Sequence, residues 1–211
     1  MATFLRPLSY KYQWLYNTFS RIAALPLGGE EKFRQLPLQG LTITQESKVL
    51  DLCCGSGQST KFLVQYSQDV TGLDVSPVSL ARAKNNVPQA KYVEGLAEEM
   101  PFLDQSFDLV HTSAALHEMS PEQLEEILRG VDRILKPGGK FVLTDFHQAT
   151  NPIFLPGLWL FLWLFETETA WQLINSNLED SLKKAGLVIT LSKLYAGGSL
   201  QVIQAQKPQK L

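Results

Sequence analysis

Residues 49–57 read Val49-Leu50-Asp51-Leu52-Cys53-Cys54-Gly55-Ser56-Gly57. An apolar run of this length, closed by glycines and followed by helix-forming residues from about Gln58 to Ser67, reads as a buried β-strand turning into a helix. Gly55 and Gly57 allow a tight turn and close approach of the backbone to a ligand. The helix start offers unpaired N–H groups. Asp51 can order the loop, or accept from an ammonium group through water. The second strand, Val70 to Asp74, ends in a carboxylate 19 residues after Gly55. A carboxylate there can accept from both hydroxyls of a ribose. The plain alternative is an ordinary strand–helix–strand turn.

Working outward, apolar runs alternate with helical patterns. Strands are expected at 91–94, 107–112, 140–146, about 187–194 and 199–205. Ser76-Pro77 opens one helix, with Ser as N-cap and Pro at the first position. Ser120-Pro121-Glu122-Gln123 opens a second with capping-box spacing. Its Leu124, Ile127, Leu128, Val131 and Leu135 keep helical period, and Lys136-Pro137-Gly138-Gly139 ends it. A further helix is expected around 172–185. Such alternation implies an α/β fold: a Rossmann-like, seven-stranded, mostly parallel sheet with helices on both faces. Only Ala196-Gly197-Gly198-Ser199 joins the last two strands, so they should pair antiparallel, with the last strand opposed to the rest. Residues 1–39 are expected to form a helical lid, as two short helices joined by a turn. Residues 40–211 would form the binding domain, with a hydrophobic insert at 151–175.

Composition narrows the function. Of 211 residues 45% are apolar and 19% charged, which suits a globular core. A net charge of −2 lacks the basic excess of an electrostatic nucleic-acid binder, so no nucleic-acid partner is expected. The two cysteines are neighbours, so they cannot staple separate segments and are read as packing. Three scattered histidines make no metal motif, and no metal is expected. The start lacks a signal-peptide core, which fits a cytoplasmic setting. A dinucleotide fingerprint would place glycine where Thr60 stands, which argues against a nicotinamide-dependent oxidoreductase.

These segments resemble, in order, the motifs of class I S-adenosylmethionine (SAM)-dependent methyltransferases. The likeness rests on residues 49–57 and on Gly72-Leu73-Asp74-Val75-Ser76. It also rests on Glu94-Gly95-Leu96-Ala97-Glu98-Glu99-Met100-Pro101-Phe102, Phe107-Asp108-Leu109-Val110, and Arg133-Ile134-Leu135-Lys136-Pro137-Gly138-Gly139. The chain is most similar to the type 11 group, which includes ubiquinone/menaquinone-type C-methyltransferases. The resemblance covers about residues 45–150 and implies SAM as cofactor. It implies that the loop Gly55, Ser56 and Gly57 packs against the methionine part, whose ammonium Asp51 could reach through water, and that Asp74 holds the ribose. Val75, Leu96 and Ala97 would meet adenine, and Thr112 and Ser113 would lie beside the sulfonium. Cys53 replaces the usual first loop glycine. Leu96 replaces the usual adenine-pairing Asp, with Glu98 a nearby substitute.

Methyl transfer from a sulfonium needs positioning and exclusion of water, and a base only if the acceptor loses a proton. His117 and His147, after the fourth and fifth strands, are the candidates, with Glu118 and Asp145 behind them. His111 lies within a strand and reads as packed. Aromatics are skewed: 13 of 21 fall in residues 1–39 and 151–175. The stretch 153–165 is too short to span a bilayer and is apolar on all sides from Leu158 to Phe165. It reads as a buried helix, as a pocket wall, or as a surface that dips into a membrane interface. Tyr12, Trp14 and Tyr16 from the lid, with Trp159 and Trp163 from the insert, are the candidate substrate contacts. Arg6, Lys11 and Arg21 could meet the methionine carboxylate or anionic head groups. The leading reading is methylation of a small hydrophobic or lipid-like acceptor, such as a quinone-type ring. The expected protein is a monomer or weak dimer with peripheral membrane contact. A SAM-binding module without catalysis is the competing reading.

Overall fold

The computed structural model describes residues 28–165 and 167–209. Seven strands form one sheet in the order β3-β2-β1-β4-β5-β7-β6. They are β1 (Lys48–Leu52), β2 (Asp69–Asp74), β3 (Lys91–Glu94), β4 (Phe107–Ser113), β5 (Leu135–Phe146), β6 (Val188–Tyr195) and β7 (Leu200–Gln206). The first five run parallel, and β7 lies antiparallel to both β5 and β6. The described helices are α1 (Glu30–Gln35), α2 (Thr60–Leu63), α3 (Pro77–Asn86), α4 (Pro121–Ile134), α5 (Leu155–Phe165), α6 (Glu168–Ile174) and α7 (Leu178–Lys184).

The central strands are buried on both sides because their side chains are apolar at successive positions. Leu50, Leu52, Leu73, Val110, Phe141 and Leu143 face one core, together with α4, α6 and α7. Val49, Val70, Leu109 and Val142 face the other, under Leu38 and Leu63. Helix α4 buries Leu124, Ile127, Leu128, Val131 and Ile134. Each such side chain contributes about 1.5–3 kcal/mol on burial. Its capping box is complete: Ser120 accepts from the Gln123 N–H, and the Gln123 side chain accepts from the Ser120 N–H.

Three expected boundaries move, each for a local reason. Strand β5 starts at Leu135, because Leu135 already pairs with Phe107. The Lys136–Gly139 stretch is therefore a bulge inside the strand, with Gly138 at φ 81°. The helix expected over 172–185 is two helices. Asn175 donates to the Trp171 carbonyl at 2.8 Å, and Asn177 caps α7 by accepting from the Asp180 N–H. Asparagine side chains compete with the helical ladder in this way. The helix expected over 58–67 is regular only from Thr60 to Leu63, with turns on either side. Of the expected lid, α1 and a short 3-10 turn at Leu36–Leu38 are described. Tyr12, Trp14, Tyr16, Arg6, Lys11 and Arg21 lie outside the described residues.

Candidate active site

In an open α/β sheet a ligand sits beyond the carboxyl ends of the strands, where the strand order reverses. Here that point lies between β1 and β4. The loop after β1 is built by positive backbone angles at Cys53 (φ 57°), Gly55 (55°) and Gly57 (84°). Asp74 at the end of β2 holds this loop. One carboxylate oxygen accepts the Gly55 N–H at 2.8 Å and the other the Ser76 N–H at 2.9 Å. Each oxygen keeps a further lone pair for a ligand hydroxyl.

Asp51 is 1% exposed and points inside the protein. It accepts from Thr60 Oγ1 at 2.6 Å and pairs with His111 Nδ1 at 2.9 Å. The geometry therefore ties β1, α2 and β4 together through Asp51, which orders the loop. Ser56 and Gly57 are also buried. Gly57 packs against α3: a Cβ there would meet Val87 and Ala83 at 3.4–3.5 Å. Beside Asp74, Val75 and Leu96 are exposed apolar residues, 59% and 42%, while Ala97 is buried. Glu98 accepts from Gln123 Nε2 at 3.0 Å, which binds it to the start of α4.

The strand ends after β4 and β5 carry the candidate chemistry. His117 is 3% exposed, and its Nδ1 lies 2.7 Å from Asp145 Oδ1. Its ring stands 4.6 Å from that of Phe146, tilted by 57°. Asp145 is held in turn by the backbone N–H groups of Ala115, Leu116, His117 and Phe146. His147 is half-buried, and its Nδ1 reaches the carbonyls of Gln148 (2.8 Å) and Gly198 (2.9 Å). Those contacts tie the end of β5 to the turn before β7. Thr112 is buried with an unpartnered hydroxyl, and Ser113 accepts from Arg34 Nη1 at 3.3 Å. Arg34 carries no signal in the sequence, where Glu30, Glu31, Lys32 and Arg34 together look like a solvated helix.

Trp159 and Trp163 are 53% and 63% exposed on α5, while Leu162 between them is fully buried. Leu162 packs with Ala149, Ala170 and Ile174. Helix α5 thus docks by one side and presents indoles on another. No helix among the described residues is long and apolar enough to cross a membrane.

The residues suit SAM. A fixed carboxylate flanked by exposed Val75 and Leu96 matches a ribose beside an adenine, and a buried guanidinium matches a carboxylate. Sheet order, glycine turn and strand-end acid together define a Rossmann-like methyltransferase. Comparison with known proteins agrees. A family model described as a methyltransferase domain matches residues 49–139. An uncharacterised methyltransferase of Synechocystis is 59% identical over 206 residues, covering 98% of this chain and 97% of its own. A demethylmenaquinone methyltransferase of Paenarthrobacter aurescens is 28% identical, covering 100% and 87%. A solved SAM-dependent methyltransferase from Methanosarcina mazei shares the fold, with a TM-score of 0.65 at 22% identity, covering 82% and 98%. The chain belongs to the class I SAM-dependent methyltransferases, and its cofactor is SAM.

Proposed function

We propose that the protein transfers the methyl group of SAM to a ring carbon of a small hydrophobic, quinol-type acceptor, with His117 as the base. The observation that carries this reading is the buried His117–Asp145 pair after β4 and β5. When bound, SAM supplies an electrophilic methyl on a positive sulfur. A quinol ring carbon becomes nucleophilic as its hydroxyl proton leaves. Asp145 fixes the tilt and tautomer of the His117 ring through Nδ1, and the proposed base is the other ring nitrogen, Nε2. His117 takes the hydroxyl proton; with SAM bound, the ring carbon would accept the methyl as the carbon–sulfur bond breaks, its electron pair staying on sulfur. The ring proton would then pass to water while His117 returns its proton to the ring oxygen, which restores the aromatic quinol. Asp74 holds the ribose, and Val75, Leu96 and Ala97 enclose the adenine. Trp159 and Trp163 line the approach of an apolar acceptor and contact a membrane interface, where such acceptors dissolve. The resemblance to demethylmenaquinone methyltransferases supports the acceptor class.

The test uses SAM with a short-tailed demethylmenaquinol under anaerobic, reducing conditions, read by mass spectrometry. A product one methyl heavier, with the methyl on the ring, is expected. No product, in a preparation that binds S-adenosylhomocysteine, overturns the acceptor assignment. His117→Gln should lower kcat about 100-fold or more, the range of a lost general base, with cofactor affinity unchanged.

A further inference from the structure

We infer that the turn between β6 and β7 positions α5 against His117 and so selects the acceptor, with Gly197 and Phe154 as the positioning residues. The turn is a 3-10 segment, Ala196–Gly198, with left-handed backbone at all three residues: φ 47°, 64° and 88°. It stands at the carboxyl end of β5, since Leu200 pairs with Phe146. The Gly197 carbonyl accepts the N–H groups of Thr150 and Asn151 at 3.0 and 2.9 Å. Asn151 in turn caps the 3-10 turn Pro152–Phe154 by accepting the Ile153 N–H at 3.0 Å, and α5 follows directly. The Phe154 ring lies on Gly197, where any Cβ would run into it. Glycine allows that approach and also takes the left-handed angle without strain.

The same turn holds the end of β5. The Ser199 carbonyl accepts the His147 N–H at 3.0 Å, and the Gly198 carbonyl lies 2.9 Å from His147 Nδ1. Gln201 Nε2 donates to the Phe146 carbonyl at 2.8 Å. Phe146 bears on His117, with ring centroids 4.6 Å apart, and also packs on the cluster that contains Leu162 of α5. Helix α5 is thus fixed at two places: Phe154 on the turn, and Leu162 in the cluster under Phe146. Between β5 and α5 the chain runs eight residues, 147–154. An untied connection of that length would leave the helix many positions, and rates fall steeply when a reacting group is misplaced by about an ångström. The turn removes that freedom. It fixes Trp159 and Trp163 relative to the proposed base. These ties run apart from the glycine loop after β1, so they bear on the acceptor and not on SAM.

The experiment compares the whole protein with Gly197→Ala, Phe154→Ala and Gly40→Ala. Gly40 also has a left-handed angle, φ 75°, but nothing lies within 4 Å of a Cβ there, so its variant carries the backbone strain alone. Hydrogen–deuterium exchange, read by mass spectrometry, compares residues 148–165 with α4. Exchange over 148–165 should rise about 10-fold in Gly197→Ala, the size of an overpacked contact, and likewise in Phe154→Ala, which removes the other partner. It should stay parental in Gly40→Ala, and α4 should exchange as in the parent throughout. The acceptor arm rests on the quinol reading above. There KM for the short-tailed demethylmenaquinol should rise about 10-fold in Gly197→Ala and Phe154→Ala, with KM for SAM unchanged and kcat within about twofold. Parental exchange over 148–165 in both variants overturns the inference, and so does an equal rise in KM for SAM and for the quinol. Faster exchange with an unchanged quinol KM, in an enzyme that methylates the quinol, overturns the selecting role. No methylation by the parent overturns the quinol reading alone, and the exchange arm, which needs no substrate, still decides the position of α5. Should Gly197→Ala fail to fold, Phe154→Ala, at a residue 38% exposed, decides by the same measurements.

Discussion

Asp145 joins five groups at one point: the ring of His117 at 2.7 Å, and the N–H groups of Ala115, Leu116, His117 and Phe146 at 2.8–3.3 Å. A buried carboxylate accepting this many bonds sets the whole turn after β4, and through it the angle of the imidazole. Asp145→Asn replaces acceptor lone pairs by an NH2 group that faces donors. The expected loss is about 3–5 kcal/mol, as for breaking a buried pair. Urea unfolding of the variant measures it. A loss under about 1 kcal/mol would refute the structural weight assigned to this carboxylate.

Asp74 does a related task at the end of β2. Its two oxygens clamp the Gly55 and Ser76 N–H groups. Asp74→Ala removes the clamp and the ribose acceptor together. Asp74→Asn keeps one acceptor and separates the two roles. Affinity for S-adenosylhomocysteine should fall in both, about 10-fold or more in the alanine variant. Calorimetry decides, and equal affinities for parent and alanine variant would remove Asp74 from the ribose.

The frame of the fold was legible in the sequence, because apolar runs such as Val49–Leu52 and the Ser120–Gln123 cap are local signals. The topology of β6 and β7 followed from a linker too short for a crossover. What stayed hidden depends on distant contacts. Leu135 enters β5 because Phe107 waits across the sheet, which no local pattern shows. The 172–185 pattern looks continuous until Asn177 is seen to cap a new helix. In the site, Asp51 and Asp74 stood out by spacing. Arg34 did not, since the contact that marks it, with Ser113, spans 79 residues of chain.

Cys53 occupies a left-handed backbone position, φ 57°, where the resembled family carries glycine. A non-glycine residue pays about 1–2 kcal/mol there, and a β-branched one more. Cys53→Gly should leave stability within about 1 kcal/mol of the parent, since relief of strain offsets the greater freedom of the unfolded chain. Cys53→Val should lower it by about 2 kcal/mol or more. Thermal melts of both variants check the pair. A valine variant as stable as the glycine one would show that the loop relaxes out of this conformation.

The two thiols make stability depend on alkaline pH. Burial, then the Asp74 charge for Cys53 and the Asp51 charge for Cys54, push both well above the ordinary thiol value of 9.0. In the unfolded chain they ionise near that value, while in the folded protein they stay protonated. The unfolded state thus binds fewer protons above pH 9, and stability falls as pH rises past it. Each thiol contributes about 1.4 kcal/mol per pH unit. Cys54→Ala should reduce the fall in unfolding free energy between pH 9 and 10 by about 1 kcal/mol, since the unfolded thiol is only half ionised at pH 9. An unchanged slope would refute the account.

Trp159 and Trp163 give the last expectation. Both are more than half exposed, so Trp159→Ala and Trp163→Ala should each change stability by less than about 0.5 kcal/mol. Leu162→Ala, which opens a cavity in the packing of α5, should cost about 2–5 kcal/mol. If the indoles serve the acceptor or a lipid interface, they act after folding. The double tryptophan variant should then lose binding to phosphatidylcholine vesicles and raise KM for a long-tailed quinol, with KM for SAM unchanged. Vesicle sedimentation and initial rates measure the two effects. A variant with parental vesicle binding and parental KM for the quinol would leave α5 as packing alone.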